Sequence, residues 1–438
     1  MSTLSLSLWS VAALLVLIGL RVPIGVALGA VAFGGFWALR GVDVAFSVLR
    51  ETPFVFAANW DLTAIPMFLL MGALVNNSGL GEAIFRAARV WLSGLPGGLA
   101  VASNIASAGF AAASGSSIAA AAAMARVAIP EMLRHGYDKA LAAGVVASAG
   151  TLAALIPPSI LFVLYGIFAE VSIAKLLIAG ILPGLLTALV YTLMIVIRSR
   201  LDPALAPSAA TESRAGLWRE RIEALKPIWP LLVLILGVIG GLYAGVVTPT
   251  EAGAAGAALA LVLGVIQRRL TLQRIVDSVR EAVSTSALIF FIGMGAVMYT
   301  KFLAFAGVGS MFAEMIGDWA QQPLLLVIAM SIIYLVLGMF LDPIGIMLIT
   351  IPVFVPMFAV LDLDLIWLGV LVVKYVEIGL LTPPVGFNVH VVKSVVGNAI
   401  PLETIFRGCG WFLLCEVVIM TLLIAFPEIS LYLPNRMF

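Results

Sequence analysis

The sequence predicts an all-α polytopic membrane protein built from two inverted repeats, each of five spans plus a re-entrant helical hairpin. Three observations predict it. The 438-residue chain is 63% hydrophobic and 11% charged, with a mean hydropathy of +1.16, a balance that soluble domains do not reach. The stretch Ala112-Ala113-Ser114-Gly115-Ser116-Ser117-Ile118-Ala119 interrupts two runs of small apolar residues, 99–113 and 118–129. Fifteen helical residues reach about 22 Å against a hydrocarbon core of roughly 30 Å, so neither run crosses alone. A helix that enters, breaks at Ser-Gly-Ser-Ser and returns fits both. Finally, a shift of 226 residues carries Pro23 onto Pro249, Pro130 onto Pro356, Asp138 onto Asp364, Pro157-Pro158 onto Pro383-Pro384, and Ser116-Ser117 onto Asp342-Pro343. One constant shift relating so many turn-forming positions marks two homologous halves.

The elements follow from apolar length and turn signals. In the first half (1–197) spans are expected near 4–20, 22–39, 62–78, 139–168 and 176–197, with a hairpin at 99–130. In the second (228–438) they fall near 228–247, 250–266, 284–300, 366–396 and 408–426, with a hairpin at 324–361. Five crossings per half is odd, so the halves must face opposite ways. The stretch 4–20 has no preceding Lys or Arg and is read as a retained first span rather than a signal peptide. With the N-terminus outside, most Lys and Arg fall on the inner side, and only Arg40, Arg50, Lys175, Lys301 and Arg436 on the outer. The bias of short-loop cations therefore places both termini outside. The polar stretch 198–227, with Asp202-Pro203 and Trp218-Arg219-Glu220-Arg221-Ile222-Glu223, reads as a cytoplasmic linker ending in a surface amphipathic helix.

Composition excludes several classes. A net charge of +1 with no basic face argues against nucleic-acid binding. No Gly-x-x-x-x-Gly-Lys-Ser/Thr loop is present, so uphill transport would draw on an ion gradient rather than on a P-loop. Cys409 and Cys415 lie on different faces of one apolar run, which disfavours a disulfide or metal pair, and two histidines leave little for a transition-metal centre. An intramembrane enzyme would need clustered catalytic groups. Gly240-Gly241 and Gly253 to Gly256 are expected to serve close helix approach.

Four breaks could carry chemistry: Ser114 to Ser117, Ile156-Pro157-Pro158-Ser159, Leu341-Asp342-Pro343, and Thr382-Pro383-Pro384. Proline removes an N–H and crowds the preceding turn, and it suits the first position of a new half-helix. A break at membrane depth is tolerated only where its freed backbone groups are buried in protein or line a wet cavity, although Ser and Gly also simply allow helices to pack. Carbonyl ends with hydroxyls and a carboxylate suit Na⁺, and N–H ends suit a carboxylate ligand. The cation candidates are therefore Ser114, Gly115, Ser116, Ser117, Asp342, Thr382 and Pro383. Ser117, Ser159, Lys374 and Asn388 are candidates for the substrate. Asp342 either serves a cation or caps the half-helix at Pro343, or does both. Lys374 and Glu377 lie three apart and are expected to pair with each other, unless Lys374 meets a substrate anion. His135 is read as solvated in a polar turn, and His390 as a residue that could face the cavity.

Taken together, Ser114-Gly115-Ser116-Ser117-Ile118-Ala119, Ile129-Pro130-Glu131-Met132, Gly136-Tyr137-Asp138, Ile156-Pro157-Pro158-Ser159, Thr248-Pro249-Thr250-Glu251-Ala252 and Gly379-Leu380-Leu381-Thr382-Pro383-Pro384-Val385-Gly386 resemble the large membrane subunit of TRAP transporters, the DctM type, over essentially the whole chain. The resemblance implies a Na⁺-coupled, elevator-type permease in a bacterial inner membrane. Its partners would be a small four-helix membrane subunit (DctQ type) and a periplasmic binding protein (DctP type) that delivers an organic acid. The breaks would belong to the moving transport domain, and spans such as 4–39 and 228–266 to the scaffold. Lys374 stands where the family pattern leads one to expect an uncharged residue. A stand-alone ion-coupled carboxylate carrier is the alternative.

Overall fold

The computed structural model describes residues 3–207, 217–307 and 323–437, and these are helical throughout with no strand among them. Ile173–Leu201, Trp218–Tyr243, Pro249–Ile266, Leu272–Phe305 and Leu402–Ala425 are long and apolar enough to cross a membrane. Val42–Ala57 and Trp60–Asn77 form a sixth candidate bent by 55°. The expected spans 4–20 and 22–39 are the 17-residue helices Thr3–Gly19 and Ile24–Arg40.

The two interrupted regions have matching local structure at the 226-residue offset. The helix Ser117–Arg134 and the helix Pro343–Val360 have the same length and begin and end 226 residues apart. Each is preceded by an apolar helix, Gly98–Ser114 or Pro323–Gly338. Their N-caps also correspond: the Ser116 hydroxyl accepts from the Ala119 N–H at 3.4 Å, and the Asp342 carboxylate from the Gly345 N–H at 3.0 Å. The runs 139–168 and 366–396 are each split at Pro-Pro, into Lys139–Gly150 and Ile160–Phe168, and into Leu365–Gly379 and Phe387–Val396. Asp138 and Asp364 cap the starts of both, accepting from Leu141 and Trp367 N–H groups. Capping by Ser or Asp at the same register in both halves fixes where each half-helix begins.

Elsewhere the halves diverge. The first half has the bent pair 42–77, whereas the second has a single 34-residue helix, Leu272–Phe305, which contains the expected span 284–300. The helices Val42–Ala57, Leu80–Leu92 and Glu428–Met437 are additions to the expected elements. Leu80–Leu92 buries Leu80, Ala83, Ile84 and Ala87 at helical spacing, but Glu82, Arg86 and Arg89 interrupt any apolar run. The span expected at 408–426 begins at Leu402. The linker helix is Leu217–Leu225, where the Arg221 guanidinium lies over the Trp91 and Trp218 rings; linker residues 208–216 lie outside the described residues.

Close helix seams are made by glycine, since without water as the driving solvent it is van der Waals contact that joins membrane helices. A Cβ on Gly408 would lie 2.0 Å from the Ala140 carbonyl oxygen, and one on Gly144 2.5 Å from the Gly408 backbone. Gly338 and Gly379 meet the same way across the second half. Gly253 and Gly256 pack on Met67, Phe68 and Met71 as expected, but Gly240 faces open space. The larger hydrophobic cluster surrounds the first hairpin and both split helices. A second joins Leu28, Ala32 and Phe36 to Ala296, Tyr299 and Phe302, with Leu348 and Ile349 of the second hairpin.

Candidate functional site

The first break is built around Gly115. The helix Gly98–Ser114 ends there in a left-handed residue (φ +62°), which glycine adopts without steric cost. A Cβ at this position would also lie 2.5 Å from the Pro158 carbonyl oxygen. The Ile160 N–H donates to the Gly115 carbonyl at 3.4 Å, so the carbonyl end of one broken helix meets the N-terminal end of the next. Ser159 caps that next half-helix, accepting from the Phe162 N–H at 3.3 Å. The wall behind is the Ala64–Asn77 helix, where Gly72 lets the Ser114 carbonyl approach.

Hydrogen bonds then tie this break to the second half. The Ser117 hydroxyl donates to Glu377 Oε1 at 2.6 Å, and the Asn388 amide donates to the Ala147 carbonyl at 3.3 Å. Three polar atoms at or beside the breaks are buried with no protein partner: Ser114 Oγ, Glu377 Oε2 and Asn388 Oδ1. Asn104 Oδ1, Ser107 Oγ and Ser148 Oγ, farther along the helices that carry the breaks, share this state. Buried oxygens without donors can be satisfied by a bound cation, by water or by donors on a ligand.

The remaining candidates are placed differently. Asp342 is half-buried and caps its own helix, and no hydrogen bond joins it to the Ser114–Ser117 break. The Thr382 hydroxyl donates to the Ile378 carbonyl at 2.7 Å. Pro157 and Pro158 are buried, whereas Pro383 and Pro384 are exposed, and Pro343 opens its half-helix as a buried residue. His135 sits 2.9 Å from the Glu131 carbonyl, in a cluster where Arg89 also reaches the Glu131 carboxylate at 2.5 Å. His390 is exposed, with its ring edge-on to Phe406.

Lys374 requires a correction. It does not pair with Glu377. Its Nζ lies 2.6 Å from both carboxylate oxygens of Glu416, and both side chains are buried, at 0% and 3% exposure. The Tyr191 hydroxyl donates to the same carboxylate. Separation by three on one helix permits contact, but the carboxylate on the facing Leu402–Ala425 helix takes a charge-assisted hydrogen bond from the ammonium through Oε1 and holds Oε2 at ion-pair distance. The positive charge is thus taken up inside the fold rather than presented at the breaks. Glu416 was open to sequence reasoning as a lone acid in one apolar run facing a lone base in another, but nothing in the sequence gives their register.

Comparisons with known proteins identify the family. The family model described as the tripartite ATP-independent periplasmic transporter, DctM component, matches residues 11–429. The C4-dicarboxylate TRAP transporter large permease protein DctM of Pseudomonas aeruginosa is 35% identical over 408 residues, covering 90% of this chain and 93% of that protein. The sialic acid large permease SiaM of Vibrio cholerae is 31% identical, covering 91% and 94%. The ectoine/5-hydroxyectoine large permease UehC of Ruegeria pomeroyi is 31% identical, covering 97% and 98%. The crystal structure of the Alcanivorax borkumensis YdaH transporter shares the fold at a TM-score of 0.59 with 14% identity, covering 87% of this chain and 88% of that one. The chain is a transporter permease, and it belongs to the DctM family of TRAP transporter large permease subunits.

Proposed function

We propose that this chain is the translocating subunit of a Na⁺-driven importer of a small organic anion. A periplasmic binding protein delivers the substrate, and a small membrane subunit works beside this one in a bacterial inner membrane, with both termini on the periplasmic side. The observation that carries the reading is the pair of capped helix breaks, at Ser114–Ser117 and Asp342–Pro343, on the same register in two halves. Broken helices in corresponding positions of two repeats mark the binding site of secondary transporters, and an odd number of crossings per half makes those repeats inverted.

In this reading the hydroxyls and carbonyls of Ser114 to Ser117 and of Thr382, together with the Asp342 carboxylate, hold Na⁺. The N-terminal ends of the half-helices at Ser117, Ser159 and Asn388 face the substrate carboxylate. The relatives are named for C4-dicarboxylates, sialic acid and ectoines, which supports a small organic acid as the substrate here. The hairpins and split helices move together as an elevator against 4–39 and 228–266. No nucleotide or tightly bound cofactor takes part, and Na⁺ is the coupling ion.

The test is uptake of a panel of labelled organic acids into proteoliposomes holding this chain and its neighbouring small subunit, under an inward Na⁺ gradient, with and without the cognate binding protein. Accumulation that needs Na⁺ and all three proteins is expected. Uptake without the binding protein would favour a stand-alone carrier, and Na⁺-independent uptake would remove the sodium sites.

A further inference from the structure

Among the described residues only three charged side chains are buried: Lys374, Glu377 and Glu416. Two are acids and one is a base. Lys374 is committed to Glu416, with both carboxylate oxygens at 2.6 Å, and Tyr191 adds a further donor to that carboxylate. Glu377, at 1% exposure, is left with one neutral donor, the Ser117 hydroxyl at 2.6 Å, and its Oε2 has no partner. A carboxylate inside the hydrocarbon zone is costly unless a positive partner accompanies it. Lys374 lies within electrostatic reach of Glu377, but it is bonded to Glu416, a like charge that reaches Glu377 too, and among the described residues no cation pairs with Glu377 directly.

The position of this carboxylate is as specific as its charge. Glu377 lies on the second-half split helix, Leu365–Gly379, yet its one hydrogen bond reaches across to the tip of the first-half hairpin. The register that relates the halves places Thr151 where Glu377 stands, and the Thr151 hydroxyl is satisfied locally by the Ser148 carbonyl at 2.6 Å. The acid is therefore absent from the first repeat, so the repeat itself does not call for it. Ser114, one turn before Ser117 across the Gly115 break, contributes another buried hydroxyl oxygen without a partner.

We infer that Glu377 and the Ser117 hydroxyl form an anionic seat for a monovalent cation, Na⁺, at the junction of the first hairpin and the second split helix. The inference rests on the sodium-coupled reading above and adds a residue and a charge to it. In the seat the carboxylate supplies two oxygens and the serine a third, and the ion brings the buried charge to balance. Oxygen ligands of this kind suit a hard cation. Because the seat joins the two halves, an ion there would fasten the hairpin tip to the split helix, and its departure would loosen that junction.

The experiment is a sodium titration of the thermal stability of the purified full chain with its small subunit. Choline replaces Na⁺ at constant ionic strength, and radiolabelled sodium binding is measured on the same samples. Ligand that binds only the folded state raises its melting temperature. Wild type should be stabilised by Na⁺. Glu377→Gln, which keeps the acceptor for Ser117 but removes the charge, should need about tenfold more Na⁺ or more for the same shift, equivalent to about 1.4 kcal/mol. Ser117→Ala, which removes one oxygen and keeps the charge, should weaken Na⁺ less than Glu377→Gln does, and it provides a reading if the first variant fails to fold. A Na⁺-dependent wild type with an unshifted Glu377→Gln midpoint overturns the seat and leaves the sodium reading standing. If Glu377→Gln does not fold, an unshifted Ser117→Ala overturns it. A wild type indifferent to Na⁺ overturns both. Glu377→Gln that melts higher than wild type without Na⁺, with unchanged sodium binding, would mean that the carboxylate balances its charge with a proton instead.

Discussion

Buried charge is where single residues weigh most in this chain. Lys374 and Glu416 are fully enclosed and 2.6 Å apart, and removing one partner of such a pair leaves an uncompensated charge that costs about 3–5 kcal/mol. Glu416→Gln and Lys374→Met should therefore each lower the melting temperature of the purified protein sharply. The double variant should recover most of the loss, because it leaves no orphaned ion. A double-mutant cycle on thermal stability measures this directly, and additive losses would mean that the pair is not coupled. Asp342 permits a finer separation. Asparagine caps a helix about as well as aspartate, whereas alanine forfeits about 0.5–2 kcal/mol. Asp342→Asn should thus keep the stability of the Pro343–Val360 helix and lose Na⁺-coupled uptake, while Asp342→Ala should lose both. Wild-type uptake with unchanged Na⁺ dependence in Asp342→Asn would reduce the residue to a cap. The sequence made Asp342 conspicuous as an acid in an apolar run. It could not reveal that Lys374 looks to Glu416 rather than to Glu377, because residues 42 apart meet only through tertiary packing.

At the level of elements, the breaks were legible and their mutual contacts were not. Ser-Gly-Ser-Ser and the Pro-Pro pairs announce chain interruption through local chemistry, and the hairpin arms 98–134 and 323–360 fall within a few residues of where that chemistry puts them. Val42–Ala57 is not legible as a span because Asp43, Arg50, Glu51 and Pro53 dilute its apolar signal, nor is Leu80–Leu92, because its apolar residues form a stripe rather than a run. That the Pro157-Pro158 break is buried against Gly115 while its counterpart Pro383-Pro384 is exposed is a product of packing, which an offset in the sequence cannot foresee. Gly115 is the element-scale test. Alanine there meets both a left-handed backbone, disfavoured by about 1–2 kcal/mol for a residue with a Cβ, and the Pro158 carbonyl 2.5 Å away. Gly115→Ala should insert and accumulate normally, since no span is altered, but should lose most of its uptake in proteoliposomes. Full uptake would show that the abutment of the two breaks is unimportant.

For the molecule as a whole, the question is whether two blocks move past each other. The second hydrophobic cluster is a ready boundary: Leu28, Ala32 and Phe36 pack with Ala296, Tyr299 and Phe302, and the second hairpin meets it through Leu348 and Ile349, with the partly buried Leu341, Ile344 and Val353 around them. A second contact lies at Phe168, the end of a first-half split helix, whose ring stacks on Phe56 of the Val42–Ala57 helix with centroids 5.9 Å apart. The Val42–Ala57 helix packs on Ile24–Arg40 of the static block, so under an elevator motion this stack joins a moving block to a static one and parts in each cycle, whereas in a rigid pore it would never separate. Cysteines at both positions, Phe56→Cys with Phe168→Cys, bridged by a short cleavable thiol reagent, distinguish the two. Cys409 and Cys415 are buried and free, so they contribute little background labelling. The bridged protein should be inserted but inactive, and cleaving the reagent should restore uptake to the level of the unbridged double variant. Uptake that persists with the bridge intact would mean that these helices stay together throughout transport, and the boundary of the moving block would have to lie elsewhere.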